Sequence, residues 1–139
     1  MRQHYKLEKL VRIKGVNSAV LATKDGFLID YASRVAVDAE GLASVAAISA
    51  QSQGTIVRFA HSHFLQKVMP GKEMALLIRK EHTSGDQLGR DWPFVFLFYL
   101  QDKTVALVCH SRVDLKQMFR QIIIVLDSLG LRGSGLAYA

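Results

Sequence analysis

The sequence predicts an α+β sandwich in the order α-β-β-α-β-β-β-α, with a five-stranded, mostly antiparallel sheet covered by helices on both faces. Three observations carry this reading: amphipathic helical spacing at both ends and in the middle of the chain, an Asp25-Gly26 turn between two apolar runs, and three later apolar runs separated by polar stretches. Strands joined by short turns pair antiparallel, and helices with one apolar face must bury it against such a sheet.

Residues 4–14 place Leu7, Leu10 and Val11 at i, i+3 and i+4 with charges between them, an amphipathic helix ended by Gly15. Its outer face is basic, and Arg2, Lys6, Lys9, Arg12 and Lys14 cluster at this end of the chain. Residues 17–23 and 27–34 flank Lys24-Asp25-Gly26, and Asp-Gly between β-compatible runs marks a hairpin, expected here with a type I′ turn. Asp38 then opens a long proline-free run, residues 39–63, read as one helix. An aspartate there accepts from backbone N–H groups that have no helical partner and suits the positive end of the dipole. Leu42, Val45, Ala46, Ser49, Gln53, Ile56, Val57 and Ala60 share one face of that helix. Beside them runs a stripe of small residues, Ala43, Ala47, Ala50 and Gly54, which lets another backbone come close. The stripe serves either a second packing surface or the same core, and spacing alone leaves both open.

Pro70-Gly71 turns the chain into a third strand, residues 73–81, through Met74, Leu76 and Ile78. Residues 82–91 are polar and contain glycine, a loop longer than a tight hairpin needs. Residues 94–100 are continuously apolar, as in a strand buried on both faces. A short turn at 101–103 leads to the fifth strand, 104–110. Residues 113–129 carry Leu115, Met118, Phe119, Ile122, Ile123, Leu126 and Leu129 at helical spacing, with Gly130 as C-cap. One domain therefore spans residues 1–130, followed by a flexible glycine-containing tail, 131–139.

Composition narrows the function classes. Half of the 139 residues are apolar, 22% are charged and only two are proline, which excludes disordered, collagenous and low-complexity chains. A single cysteine, Cys109, excludes an internal disulfide framework and fits a reducing compartment, so a cytoplasmic location is expected. The opening residues lack the apolar core of a secretory signal, and the longest apolar run is far short of the roughly 20 residues a membrane helix needs. The net charge of +6 and pI near 9.7 favour acidic partners: nucleic acid, anionic lipid or an acidic protein face. Beyond the first helix the cations are spread out. No zinc finger, basic zipper or aromatic RNA-binding strand accompanies them, which argues against nucleic acid.

Catalytic patterns fail one by one. His61 and His63, two apart at the end of a helix, point in nearly opposite directions, and no cysteine or carboxylate joins them locally to hold a metal. Cys109 and His110 are adjacent in a strand, face opposite ways and cannot meet as nucleophile and base. Gly130, Gly133 and Gly135 follow a helix and open none, so they are no phosphate cradle. The carboxylates are scattered. No catalytic residue, cofactor or metal is expected, and the chain is read as a non-enzyme.

The helix ending at Gly15-Val16, the stretch NSAVLATKDGFLIDYASR, the alanine-rich helix opened by Asp38-Ala39-Glu40-Gly41-Leu42-Ala43, and the closing TVALVCHS strand before LKQMFRQIIIVLDSL together resemble the Roadblock / dynein light chain family over about residues 4–130. The resemblance implies dimers, homodimeric or heterodimeric, whose third strands pair edge to edge and whose central helices pack side by side into a ten-stranded sheet. The dimer residues would then be Ala43, Ala47, Ala50 and Gly54 on the helix, with Met74, Leu76 and Ile78 on the strand. It also implies a non-enzymatic regulator or scaffold of a small Ras-like GTPase. The alternatives are a structural adaptor subunit of a larger motor or membrane-associated complex, or a basic binder of nucleic acid or anionic membrane. On the outer side of the central helix, Ile48, Gln51, Thr55, Arg58 and Phe59 are the expected partner contacts, because exposed apolar and arginine side chains anchor interfaces. Nothing local marks Arg58 as an arginine finger for phosphoryl transfer. The long 82–91 loop and the basic first helix depart from compact members of the family.

Overall fold

In a computed structural model, the described residues 6–51, 56–59, 62–68, 74–79, 93–100, 102–110 and 114–131 form helices on both faces of one antiparallel sheet. The order is α1 (Glu8–Val11), β1 (Val16–Thr23), β2 (Leu28–Ser33), α2 (Ala39–Gln51), β3 (Ile56–Phe59), β4 (Ser62–Val68), β5 (Met74–Arg79), β6 (Pro93–Tyr99), β7 (Lys103–His110) and α3 (Leu115–Ser128). The strands line up β2-β1-β7-β6-β5-β4-β3. The α+β class holds, and the sheet has seven strands where the sequence reading expected five.

The extra strands come from the run read as one helix, residues 39–63. Helix α2 stops at Gln51, and β3 and β4 follow as a hairpin with Ile56 opposite Leu65 and Phe59 opposite Ser62. The physical reason lies in the residues themselves. Gly54 weakens a helix interior by about 1 kcal/mol relative to alanine, and Thr55, Ile56 and Val57 are consecutive β-branched residues that lose rotamer freedom in a helix and fit a pleated surface.

The first hairpin forms where Asp25-Gly26 marked it, with a different turn. Gly26 takes φ +95° whereas Asp25 does not enter the left-handed region, so the turn is not type I′. Thr23 N–H donates to the Phe27 carbonyl at 2.9 Å and Gly26 N–H to the Thr23 carbonyl at 3.0 Å. This is a three-residue loop whose last position requires positive φ, the place that glycine fills.

Asp38 caps α2 as expected, its Oδ1 accepting from Gly41 N–H at 2.9 Å. Asp114 caps α3 in the same way, accepting from Lys116 N–H at 3.0 Å and Gln117 N–H at 3.3 Å. At the other end of α3, Gly130 has φ +71°, Gly130 N–H donates to the Asp127 carbonyl and Leu131 N–H to the Leu126 carbonyl. That pair of bonds is a Schellman motif, and it folds Leu131 back until it is 5% exposed. Leu131 therefore belongs to the packed domain and not to a loose tail; residues 132–139, like the 82–91 loop, lie outside the described residues.

Two cores flank the sheet. Leu7 just before α1, Leu10 and Val11 of α1, Met118, Ile122 and Leu126 of α3, and Phe94, Phe96 and Phe98 of β6 form one. Leu42, Val45 and Ala46 of α2 with Val95, Leu97, Val20 and Ala106 form the other. Alternate residues of β6 thus enter opposite cores, which is why its sequence is unbroken in its apolarity. On the α1/α3 side Phe98 stacks on Phe119, ring centroids 6.3 Å apart, and Phe94 meets Phe96 edge-on at 5.3 Å.

Candidate partner-binding surface

The small-residue stripe has its use inside the chain. Ala43 and Ala47 are buried, and a Cβ placed on Gly26 would lie 3.2 Å from Ala47 Cβ and 3.5 Å from the Ala43 carbonyl oxygen. The β1–β2 turn packs onto α2 at that point, so the second backbone that the stripe admits is this chain's own hairpin. Ala50 lies in α2 and Gly54 lies outside the described residues.

The strand half of the expected dimer seam is also taken. On one side of β5, Leu76 is opposite Lys67 and Ile78 opposite Leu65 of β4; on the other, Met74 is opposite Phe98 and Ile78 opposite Phe94 of β6. Met74 and Leu76 also pack against the α1/α3-side core. Both hydrogen-bonding edges of β5 are filled, so edge-to-edge pairing of two β5 strands, as the family resemblance implied, is not open to this sheet. The β3–β4 hairpin covers what was expected to be a bare edge.

The five expected partner contacts are divided among different elements. Ile48 is on α2 and 57% exposed, Gln51 is the last residue of that helix, Arg58 and Phe59 are in β3 opposite His63 and Ser62, and Thr55 lies outside the described residues. They share no helical face, because Arg58 and Phe59 belong to strand β3.

Besides Ile48, the β1–β2 turn and β2 expose apolar side chains that the helical pattern did not reveal. Phe27, 70% exposed, follows Gly26, which packs close to Ser44 and Ala47, the positions one turn and one residue before Ile48 on α2. Tyr31, 52% exposed, is paired across the strands with Val20, a member of the α2-side core, and so stands on the same face of the sheet. Val35 is exposed just beyond the end of β2. The apolar residues of this strand are divided between its faces, Ile29 packing against the α1/α3-side core and Leu28 against the α2-side core, with a register shift in the pairing between them. That strand lies at the end of the sheet, where one of its faces is poorly covered.

The backbone edge of β2 beside this patch is partly occupied. The Asp30 carboxylate accepts from Tyr31 N–H at 2.8 Å, and Ser33 Oγ accepts from Val35 N–H at 3.1 Å. Side chains thus answer amide groups that an added strand would otherwise use, a common protection of sheet edges. The surface offers side chains for recognition more than a ladder.

Behind the patch α2 is anchored by polar contacts. Ser49 Oγ and Tyr99 Oη are 3.0 Å apart, and Gln66 Nε2 donates to the Ser49 carbonyl at 3.0 Å, joining α2 to β6 and β4. Burial pushes the Tyr99 phenol pKa up, and the Ser49 hydrogen bond opposes this in part.

Cys109 is buried, its Sγ 3.6 Å from the Leu107 carbonyl, and burial pushes its thiol up to about 12, so it is not a thiolate nucleophile at neutral pH. His63 is in β4, and His61 lies outside the described residues. Among the described residues no three His, Cys, Asp or Glu side chains are grouped as metal ligands.

No protein-family profile matches the sequence, and no curated protein does either. Solved structures do match over nearly the whole chain. LokiProfilin1, crystallised with rabbit actin, superposes with a TM-score of 0.62 at 9% identity, covering 91% of this chain and 93% of its own. The chain has a profilin-like and Roadblock-like fold. Profilin IB of Acanthamoeba castellanii gives 0.59 at 14% identity over 93% of this chain and 96% of that one. The Roadblock/LC7 domain from Streptomyces avermitilis gives 0.52 at 12% identity over 91% and 92%. Among the described residues, no helix is long and apolar enough to cross a membrane.

Proposed function

We propose that this protein is a non-enzymatic binding module that regulates or scaffolds a small Ras-like GTPase through the surface formed by α2, the β1–β2 turn and β2. The observation that carries the reading is the group of exposed large apolar side chains Phe27, Tyr31 and Ile48 on one side of the molecule. Exposed aromatic and branched residues brought together on a rigid helix and strand are the anchors that protein interfaces use. The GTPase as partner is supported by the resemblance of residues 17–34 and 38–43 to Roadblock sequences and by the fold shared with the Streptomyces avermitilis domain.

An actin-type partner is the second reading. It is supported by the TM-score of 0.62 to a profilin crystallised with actin. One experiment separates the two. The tagged protein is used to recover partners from its own lysate with a non-hydrolysable GTP analogue and again with GDP, alongside Ile48→Glu and Phe27→Ser variants. The GTPase reading expects a small GTPase enriched with the GTP analogue and lost with Ile48→Glu. Recovery of an actin-type protein in both lanes supports the second reading. The same GTPase-free set of partners in both lanes supports a structural adaptor.

A further inference from the structure

We infer that the face formed by α1 and α3 docks on an anionic phospholipid bilayer while the α2 face stays available to a protein partner. The structure brings cations from three separate stretches of the chain onto this face. Lys9, Arg12 and Lys14 are exposed along and just after α1. Arg34, also exposed, is drawn to the same place because its Nε donates to the Val11 carbonyl at the end of that helix. His110 N–H donates to the Gly15 carbonyl at 3.0 Å, which fixes the end of β7 beside the α1 exit, and α3 follows from there to contact α1.

On α3, Lys116, Arg120 and Ile124 are spaced four apart and all exposed. They lie opposite Met118, Ile122 and Leu126, the residues that face the core. Six cations, five along α1 and α3 and Arg34 beside them, are thus set against Glu8, Asp114 and Asp127 of those helices and Asp30 of β2, and Asp114 is engaged as the α3 cap. The opposite side has the reverse balance among the described residues: Lys24 stands against Asp25, Asp38 and Glu40 around the β1–β2 turn and the start of α2. Among the described residues, the α1/α3 side is therefore the basic one.

Ile124 decides the kind of anionic partner. It is 66% exposed and continues the line of Lys116 and Arg120. A phosphate backbone of nucleic acid makes no use of a branched aliphatic side chain, whereas a bilayer takes it into the acyl boundary while phosphates meet the cations around it. A group of four to eight Lys/Arg on helices next to such a residue matches the charge pattern that anionic leaflets attract.

The test is sedimentation of the full chain with phosphatidylcholine vesicles, with and without phosphatidylserine, at low and raised salt. Binding is expected only with phosphatidylserine and weaker in salt. Arg12→Ser and Arg120→Ser should each weaken it roughly fivefold, Ile124→Ser should weaken it without changing its salt dependence, and Lys24→Ser on the far side should leave it unchanged. Circular dichroism melts establish that each variant is folded. Absence of binding to phosphatidylserine vesicles overturns the inference, as does equal binding to both vesicle types. So does an equal effect of Lys24→Ser and Arg12→Ser, or displacement of the protein from vesicles by duplex DNA at lower phosphate concentration.

Discussion

Cys109 shows how one buried residue gives the protein a pH response without any catalytic role. Burial holds its thiol protonated up to about 12, against an ordinary value of 9.0. Between those two values the unfolded chain has lost a proton that the folded chain retains, so stability falls as pH rises through that window. The slope from this group approaches about 1.4 kcal/mol per pH unit. Tyr99, also raised by burial, acts in the same direction. Thermal melts at stepped alkaline pH should show a falling Tm. Cys109→Ala should lower Tm near neutrality through lost packing, yet flatten the alkaline fall. That Cys109 is an inert apolar residue was legible from the sequence, because neighbours in a strand face opposite ways. The exposure of Phe27 and Tyr31 was not, since apolar identity is the same whether a strand's outer face is covered or bare.

Among the elements, the β1–β2 hairpin and α2 are a single packed unit joined at Gly26. Its positive φ and the 3.2 Å approach to Ala47 Cβ both oppose a side chain. Gly26→Ala is expected to cost about 1–2 kcal/mol, measured by urea unfolding with an unchanged m-value. Ala47→Glu should be worse, because a carboxylate would be forced between the turn and the helix at a site only 6% exposed. Its expected signature is loss of cooperative unfolding in the single chain. A variant that melts like the wild type and changes only its assembly would return Ala47 to an interface between molecules. The element pattern was legible wherever one signal stood alone, as with Asp25-Gly26 or the Asp38 cap. It failed at residues 56–59 and 62–63, which are strands, where the absence of proline outweighed Gly54 and three β-branched residues in a row. Helix α2 is rich in alanine and offers no clear apolar edge to show where it stops.

For the whole molecule, the β3–β4 hairpin changes what the sheet can do. With β5 between β4 and β6, Leu76 is an internal residue packed against the α1/α3-side core. Leu76→Lys should therefore lower stability by about 2–4 kcal/mol and leave the molar mass by light scattering as in the wild type. A changed mass with unchanged Tm would restore the strand to an interface. The overall class was legible because every helix and most strands carry their own period. The number of strands was not, and with it went the expected dimer edge and the partner surface drawn on a helix that ends at Gln51.

The pairing of β1 with β7 also sets a timetable. Val16 lies opposite Cys109 and Thr23 opposite Lys103, so the middle of the sheet is a seam between the two ends of the chain. During synthesis, β3 to β6 can zip together as a local meander, and β1 with β2 as a hairpin. No strand pairing joins these halves until residues 103–110 leave the ribosome, and before then only α2 packs on both. A stalled or truncated chain would hold two half-sheets with bare inner edges, which makes the last quarter of translation the period when this protein most needs a chaperone.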